Sequence, residues 1–428
     1  MRYAALIPHP PLIIPGVGKA DEIPTTRSAC ERIAEEVKAF QPETVIILSP
    51  HSVMYEDYIH ISPGKSASGD FSRFRVPQVR FDVVYDEELA DLIGYIAREN
   101  GIAAGFEGER DPALDHGTMV PLYFLKSKRI VRLSPAGFGM GDHYRLGRCI
   151  RMAAERLGRR AAFIASGDMS HKLSVDGPYG YCREGEEHDA YVRGCLLASD
   201  FQKLMDIDPD ILENAAECGF RGIVAMAGFL DGTKAKGNVL SYEAPYGVGY
   251  LCASFQGVED AYVNLARTSV EHFIRTGEPL PELPAGMPDE MENTRAGVFV
   301  TIKKDGDLRG CIGTIAPTCA SIAQEIVQNG VSAASSDPRF TPIAVGELAS
   351  LSFGVDVLGR PEAIGGMDEL DVKKYGVIVE SGRRRGLLLP NLEGVDTVAY
   401  QVSIAAQKGG IMPGEPYSLR RFEVVRHT

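Results

Sequence analysis

Four histidines and one glutamate in the first half of the chain lie beside short apolar runs that are typical of buried strands. His9, His51 and His171 each follow such a run, and Glu243 ends another. His116 stands just before an apolar stretch that we interpret as a helix. In open α/β sheets ligands bind beyond the carboxyl ends of the strands, so these side chains could converge on one site.

Such a set supports oxygen chemistry at a metal ion. Two histidines and one carboxylate on one face of a metal leave positions open for substrate and O₂, as in non-haem Fe(II) oxygenases. Further histidines could move protons near pH 7, because the pKa of an unperturbed imidazole is about 6.5. Each residue alone has a simpler interpretation, since a histidine beside prolines is ordinarily a turn residue and a lone strand-end glutamate is ordinarily a solvated carboxylate. The recurrence of such residues beside strands favours a shared site.

The elements that must position these residues alternate between strands and helices. Uninterrupted apolar runs, such as residues 45–48 and 161–165, predict strands buried on both faces. Helical periodicity lies between them, with Thr25 or Thr26 as the candidate N-cap of the first helix. The alternation predicts an α/β fold, an N-terminal α/β/α sandwich with a largely parallel sheet.

The segment 62–78 interrupts this alternation and is rich in glycine, serine and arginine. One interpretation is an exposed hairpin or loop, and the other is a lid over a site, because long loops in compact domains are often functional. Further along, a strand pair at 239–255 is followed by a new helical pattern from Glu259. This change predicts two domains, residues 1–257 and 258–428.

Composition argues against several classes of function. The chain of 428 residues has 45 Lys and Arg against 58 Asp and Glu, a net charge of −13 that suits neither nucleic acid nor anionic lipid as a partner. None of the eight cysteines forms a C-x-x-C pair, so we expect reduced thiols in a cytoplasmic protein. No apolar run approaches the about 18 residues of a membrane span.

At the histidine and glutamate motifs the sequence resembles the class III extradiol ring-cleavage dioxygenases (the LigB-type catalytic subunit) and their Memo-like relatives, over about residues 1–255. The motifs are Pro8-His9-Pro10-Pro11, Ser49-Pro50-His51-Ser52, Gly69-Asp70-Phe71, Asp115-His116-Gly117, Ser166-Gly167-Asp168-Met169-Ser170-His171, and Glu243 with Tyr246-Gly247. The resemblance implies an oxidoreductase that uses Fe(II), with Zn or Mn as alternatives, on a small aromatic substrate and O₂.

The resemblance also implies a role for each residue. His9, His51 and Glu243 would be the metal ligands. His171 would be the catalytic acid/base, and His116 a second active-site histidine. The candidate substrate-binding residues are Phe71 and Tyr246.

The second half resembles the AMMECR-type domain, an α+β fold, over about residues 259–428. The evidence includes Leu308-Arg309-Gly310-Cys311-Ile312-Gly313-Thr314 and Asp337-Pro338-Arg339-Phe340. Arg309, Cys311 and Arg339 are candidates for a second site, although the default interpretation is a buried structural cysteine and exposed or salt-paired arginines. The two modules together resemble part of the AmmeMemoRadiSam system, which implies a radical-SAM protein partner. A homo-oligomer is also compatible with the sequence.

Three hypotheses follow for the function. The first is an Fe(II)-dependent extradiol-type dioxygenase acting on a catechol- or aminophenol-like ring. The alternative is a metal-binding scaffold that partners a radical-SAM protein without ring-cleaving turnover. The third is a hydrolase or lyase that uses zinc on the same face, because zinc accepts four-coordinate sites with nitrogen and oxygen ligands.

Overall fold

The computed structural model describes residues 1–19, 22–110, 113–392 and 394–427. The chain divides into two compact units, Met1–Glu259 and Asp260–Thr428, just beyond the predicted boundary between residues 257 and 258. Among the described residues, no helix combines the length and the apolarity needed to cross a membrane.

The first unit contains ten strands and seven helices among its described residues. Its strands are β1 (Arg2–Ile7), β2 (Thr44–Leu48), β3 (Ile59–His60), β4 (Ser66–Phe71), β5 (Val76–Tyr85), β6 (Ala104–Gly105), β7 (Arg129–Leu133), β8 (Ala161–Ser166), β9 (Thr233–Glu243) and β10 (Tyr250–Glu259). Its helices are α1 (Pro24–Phe40), α2 (Glu87–Glu99), α3 (His116–Leu125), α4 (Met140–Arg156), α5 (Arg183–Ala198), α6 (Pro209–Ala215) and α7 (Phe220–Leu230).

Eight of these strands form one sheet in the order β4-β5-β7-β2-β8-β1-β10-β9. The five strands from β5 to β1 run parallel to one another, and antiparallel strands flank them on both sides. Every residue of β1, β2 and β8 is buried, which explains why these strands are uninterrupted apolar runs. The predicted α/β fold with a largely parallel sheet is confirmed.

Helices cover both faces of the sheet. Ala162 and Ile164 of β8 lie in one hydrophobic core with residues of α1 and α3. Phe163 points to the opposite face, because successive side chains of a strand alternate, and it stacks on Phe229 of α7 at 5.6 Å between ring centroids. The α/β/α sandwich therefore has α1 and α3 on one side and α7, which packs on α4, on the other.

The interrupting segment 62–78 forms β4, a 3₁₀ turn (Ser72–Phe74) and the start of β5, a hairpin at the edge of the sheet. The Leu114 backbone N–H donates to the Ser68 carbonyl at 2.9 Å, so β4 is bonded to the segment just before α3. A Cβ atom at position 69 would lie only 2.8 Å from the Leu114 side chain, which is a steric clash. Glycine avoids this clash because it has no Cβ atom. The tip of the hairpin is thereby held beside the start of α3.

The second unit is the predicted α+β fold. Its helices are α8 (Ala261–Thr276), α9 (Asp289–Asn293), α10 (Ile322–Ser335) and α11 (Val398–Lys408). Its strands are β11 (Val298–Lys304), β12 (Asp307–Gly313), β13 (Leu351–Leu358), β14 (Glu362–Ile364), β15 (Gly376–Ser381), β16 (Arg384–Leu388), β17 (Ser418–Phe422) and β18 (Val424–His427). They form two four-stranded antiparallel sheets, β12-β11-β13-β18 and β14-β17-β15-β16.

Candidate metal centre

Three of the predicted histidines converge at the carboxyl edge of the sheet. His9 follows β1, His51 follows β2, and His116 is the first residue of α3. One ring nitrogen from each lies within 4.8 Å of the others, and the Nε2 atoms of His9 and His51 are 3.0 Å apart. The ring centroids of His51 and His116 are 4.1 Å apart. This spacing suits three nitrogen donors around one metal ion.

The orientation of His9 is fixed by a chain of two hydrogen bonds. The Ser166 hydroxyl, at the end of β8, donates to the Gly117 carbonyl at 2.5 Å. The hydroxyl oxygen therefore accepts from His9, whose Nδ1 lies 3.0 Å away. With the proton on Nδ1, the lone pair of Nε2 faces the other histidines, as metal-binding histidines require.

A thiol and a carboxylate extend the group on the other side of His9. The Cys218 Sγ lies 3.6 Å from His9 Nε2, and the Asp168 carboxylate lies 4.0 Å from the same nitrogen. Asp168 accepts from the His9 backbone N–H at 2.9 Å, and its own N–H contacts the Cys218 sulfur at 3.2 Å. Cys218 was not predicted as a site residue, because a single cysteine outside any spacing motif carries no local signal. Its approach to His9 comes only from the fold, which brings the N-terminus of α7 to the end of β8.

Glu243 is not placed with His9 and His51, which corrects the predicted ligand set. Its carboxylate accepts from the Thr26 backbone N–H at 2.7 Å, in the first turn of α1. Strand order alone does not separate it from the histidines, since β9 and β2 are each two strands away from β1; the physical reason is the hydrogen bond that holds the carboxylate at the first turn of α1. A carboxylate at a helix N-terminus is stabilised by the unpaired N–H groups there.

The partly buried carboxylate of Asp115 links the loops of His51 and His116. Asp115 caps α3 by accepting from the Thr118 N–H at 2.9 Å, and it accepts from the Ser49 hydroxyl at 2.6 Å. The Ser49 oxygen in turn accepts from the His51 N–H at 3.3 Å. Asp115 therefore positions the two histidines through their backbones.

One ring nitrogen of His171, Nδ1, is hydrogen-bonded, whereas the other, Nε2, has no hydrogen bond to the described residues. Its Nδ1 lies 2.5 Å from the Ala216 carbonyl and must donate to it, so the proton is on Nδ1 and Nε2 can accept a proton. The Tyr179 ring lies edge-on to it at 5.1 Å. A positive charge on His171 would contribute to lowering the pKa values of His9 and His51, whose largest cause of lowering is burial.

Burial is the largest cause of the shifted pKa values in this group. It lowers the pKa of His9 far below the ordinary value, lowers those of His51 and His171, and lowers that of His116 to about 4. Neutral imidazoles are the form that binds metal. Burial also raises the pKa of Asp168 to about 7 and that of Cys218 well above its ordinary value, so metal binding by the thiol would release a proton.

The aromatic residues around the site differ from the prediction. Phe71 has 0% of its surface exposed and lies in the core, and its role in substrate binding stays a prediction. Phe74, three residues later, is nearer the candidate site, with its ring centroid 5.9 Å from that of His116. Tyr246 is 43% exposed in the turn between β9 and β10, and its role in substrate binding stays a prediction.

In the second unit, Cys311 and Arg339 are neighbours. The Asp337 carboxylate accepts from the Cys311 N–H at 2.8 Å and from the Arg339 guanidinium at 2.7 Å. Arg309 instead donates twice to Glu347, with both distances at 3.0 Å. Both arginines are salt-paired, which is the structural alternative left open by the sequence, and their binding role stays a prediction.

Comparison with known proteins gives the same division of the chain. Residues 3–253 match the family described as the catalytic LigB subunit of aromatic ring-opening dioxygenase, and residues 263–427 match AMMECR1. A protein of Clostridium acetobutylicum is 40% identical over 99% of this chain and 98% of its own length. A protein of Thermotoga maritima is 47% identical over 40% of this chain and 98% of its own length.

Two solved structures also resemble parts of the chain. A protein of Pyrococcus horikoshii is 30% identical over 39% of this chain and 88% of that chain, with a TM-score of 0.36. A protein of Escherichia coli is 14% identical over 59% of this chain and 99% of that chain, with a TM-score of 0.41. From the family matches, the chain belongs to the LigB family of aromatic ring-opening dioxygenase subunits, with an AMMECR1 domain fused after its LigB domain.

Proposed function

We propose that the LigB domain is an Fe(II)-dependent dioxygenase that opens a small catechol- or aminophenol-like ring. The observation that carries the proposal is the meeting of His9 and His51, whose Nε2 atoms are 3.0 Å apart. The Nε2 of His171 can accept a proton, which suits the acid/base role we propose for it. Family membership supports the reaction class. The donor set fits Fe(II), because neutral imidazoles suit this ion and the site lies at the edge of the sheet where a ligand can enter.

His9 and His51 would hold the ion, and the third donor would be His116 or the Cys218 thiolate. Bound Fe(II) would supply the binding of the diol and of O₂ and the transfer of electrons between them. The chain's own residues orient the ring and handle its protons. Phe74 offers an aromatic face beside His116, and His171 Nε2 would take a proton from a ring hydroxyl.

The test is anaerobic loading of the full chain with Fe(II), followed by measurement of iron content and of O₂ uptake with catechol and 2-aminophenol. We expect His9→Ala and His51→Ala to abolish iron binding. We expect His171→Ala to retain iron and to lose at least about 10²-fold in turnover, the contribution of a general acid or base. Full iron content in both ligand variants, or absence of O₂ uptake with any diol, would refute the proposal.

A second candidate is a metal-binding scaffold that pairs with a radical-SAM protein. It is favoured by the position of Glu243 at α1 and by the Cys218 thiol beside His9, since the dioxygenase hypothesis expected Glu243 and no thiol among the ligands. This candidate predicts metal binding by the same histidines, association with a radical-SAM protein, and no diol-dependent O₂ uptake. Diol-dependent uptake that disappears in the His171 variant would exclude it. Bound zinc with hydrolytic turnover would support the third hypothesis instead.

A further inference from the structure

A buried carboxylate on α5 holds the main chain directly before His171. Asp189 is 2% exposed, and its Oδ1 accepts from the Ser170 backbone N–H at 2.9 Å. Ser170 is the residue that precedes His171. Its hydroxyl donates to the Ala215 carbonyl at 2.9 Å, and its own carbonyl accepts from the Gly249 N–H at 2.8 Å. Every polar group of Ser170 therefore has a partner, which fixes the backbone that carries the His171 ring.

The Asp189 carboxylate is itself held by two neighbouring side chains. The Tyr242 hydroxyl donates to its Oδ2 at 2.7 Å, and the His188 Nδ1 lies 2.8 Å from its Oδ1. Burial is the largest cause of the raised pKa of Tyr242, so this hydroxyl keeps its proton and remains a donor. Tyr242 precedes Glu243 at the end of β9. The end of β9 therefore reaches the loop of His171 through Tyr242, whereas Glu243 is bonded to α1.

The ring of His171 lies against the C-terminal end of α6. Its backbone N–H donates to the Ala215 carbonyl at 3.2 Å, and its Nδ1 lies 2.5 Å from the Ala216 carbonyl. Ala216 closes α6 in the left-handed conformation, with a φ of 52°, which few non-glycine residues adopt. A neutral imidazole has two tautomers, and the bond to Ala216 selects the one with the proton on Nδ1. This selection holds only while the ring stays within reach of that carbonyl.

We infer that Asp189 is a positioning residue for His171, and that with Tyr242 it fixes the backbone so that the His171 ring stays on the Ala216 carbonyl with its Nε2 unprotonated. The inference rests on the proposed function for the acid/base role of His171, whereas the arrangement of the ring is a property of the metal-free chain. The charge of Asp189 also favours a proton on His171. Burial is the largest cause of the lowered pKa of His171, and the Asp189 carboxylate opposes this lowering.

The experiment measures the His171 tautomer and the steady-state kinetics in the same variants, Asp189→Ala, Asp189→Asn and Tyr242→Phe. The full metal-free chain, labelled with ¹⁵N at histidine, gives the ring shifts of His171, which are assigned by their loss in His171→Gln. After anaerobic loading with Fe(II), iron content is measured, and O₂ uptake with catechol gives kcat and KM.

Asp86→Asn is the matched control. Asp86 is a buried carboxylate like Asp189, and it accepts from the Thr44 hydroxyl at 2.5 Å. Thr44 begins β2, whereas His51 follows the end of that strand, so Asp86 lies at the opposite edge of the sheet. This variant therefore removes a buried charge without touching the loop of His171.

We expect the wild type and Asp86→Asn to show a neutral His171 ring protonated at Nδ1. Asp189→Ala should show the averaged shifts of both tautomers, and its kcat should fall by about 10-fold to 10²-fold with unchanged KM and iron content, because misplacement of a catalytic group by about 1 Å can cost about 10²-fold in rate. Asp189→Asn and Tyr242→Phe should lie between, since the first keeps an oxygen for the Ser170 N–H and the second keeps the carboxylate.

A wild type without a proton on Nδ1, or a wild-type tautomer or undiminished kcat in Asp189→Ala, would overturn this inference alone. If Asp189→Ala does not fold, the same two readouts in Asp189→Asn and Tyr242→Phe decide. An equal loss of kcat in Asp86→Asn would also overturn it, because the effect would then follow from any buried charge. If the wild type takes up no O₂ with diols, the proposed function fails, and the tautomer alone decides whether Asp189 positions the ring.

Discussion

Replacing Glu243 by alanine tests whether its carboxylate stabilises α1 or binds the metal ion. Its Oε1 accepts from the Thr26 N–H at 2.7 Å, and α1 has no side-chain hydrogen bond from its own N-cap residue, Ile23. Loss of a capping acceptor costs about 0.5–2 kcal/mol, and loss of a negative charge at a helix N-terminus costs about 0.3–1 kcal/mol. We therefore expect Glu243→Ala to lower the free energy of unfolding by about 1–2 kcal/mol.

The assay is thermal unfolding of the metal-free chain, together with iron content after anaerobic loading. In a domain of this size each kcal/mol corresponds to about 2–4 °C in Tm. Glu243→Gln should lose less, because the amide oxygen can still accept from Thr26. Glu213→Ala, at an exposed position of α6, is the control for a change of charge.

Iron content separates the two roles of Glu243. The structure predicts that Glu243→Ala binds iron as the wild type does while Tm falls by a few degrees. An unchanged Tm combined with lost iron would show that the carboxylate is a ligand, and it would refute the assignment to α1.

Three further changes test the rest of the site and of the fold. Ser166→Ala removes the acceptor of His9 Nδ1, so metal affinity measured by competition with a chelator should fall about 10–100-fold; unchanged affinity would show that Ser166 does not orient the ring. Cys218→Ser should weaken binding of thiophilic ions such as Zn²⁺ and Cu⁺ more than binding of Mn²⁺, since a hydroxyl is a harder donor than a thiolate; equal effects on all ions would place the sulfur outside the metal site. Burial lowers the pKa of His143 from 6.5 to about 4, so the unfolded chain binds more protons between these values. Stability should then be lost as pH falls from 6.5 towards 4, by about 2 kcal/mol at pH 5, and His143→Gln should flatten this pH dependence in urea unfolding of the metal-free chain; an unaltered slope would contradict the assignment.

The sequence carries enough information for the central strands and their histidines. β1, β2 and β8 are buried on both faces, so each appears as an unbroken apolar run with a loop directly after it. His9 and His51 meet because β1 and β2 both run parallel to β8, which lies between them, so the two strands end at the same edge of the sheet. His116 follows from the same logic, since Asp115 is a standard N-cap residue before an apolar helix.

The errors arose where contacts between distant segments decide the outcome. The sequence predicted Thr25 or Thr26 as the N-cap of the first helix, whereas α1 begins at Pro24 and the Thr26 N–H is satisfied by Glu243. The hydrogen bond between the Thr26 N–H and the Glu243 carboxylate therefore involves both wrong predictions, the N-cap of α1 and the third metal ligand. The position of Glu243 at a strand end predicts the correct edge of the sheet, but it does not show that the carboxylate is bonded to the first turn of α1.

The hairpin tip shows a second limit of sequence reasoning. Phe71 and Phe74 are equally apolar in the sequence, yet Phe71 ends β4 with its side chain in the core while Phe74 lies in the 3₁₀ turn beside His116. The turn begins directly after β4, so strand alternation does not extend from Phe71 to Phe74. Local sequence alone does not give this change of direction.

The donor atoms around His9 determine which metal ions the site prefers to bind. A ligand set of two imidazoles and one carboxylate lowers the charge of a bound dication to +1. The described group offers a third imidazole, the Cys218 thiol and the Asp168 carboxyl group, and burial raises the pKa values of the last two. If both of these acids stay protonated, the dication keeps its full charge and anionic ligands are favoured. If the metal displaces the thiol proton, the site gains a soft donor and its preference shifts towards thiophilic ions. Metal competition at several pH values above about 7, where Asp168 is already ionised, therefore distinguishes the two states, because thiolate coordination by Cys218 still releases a proton for each ion bound.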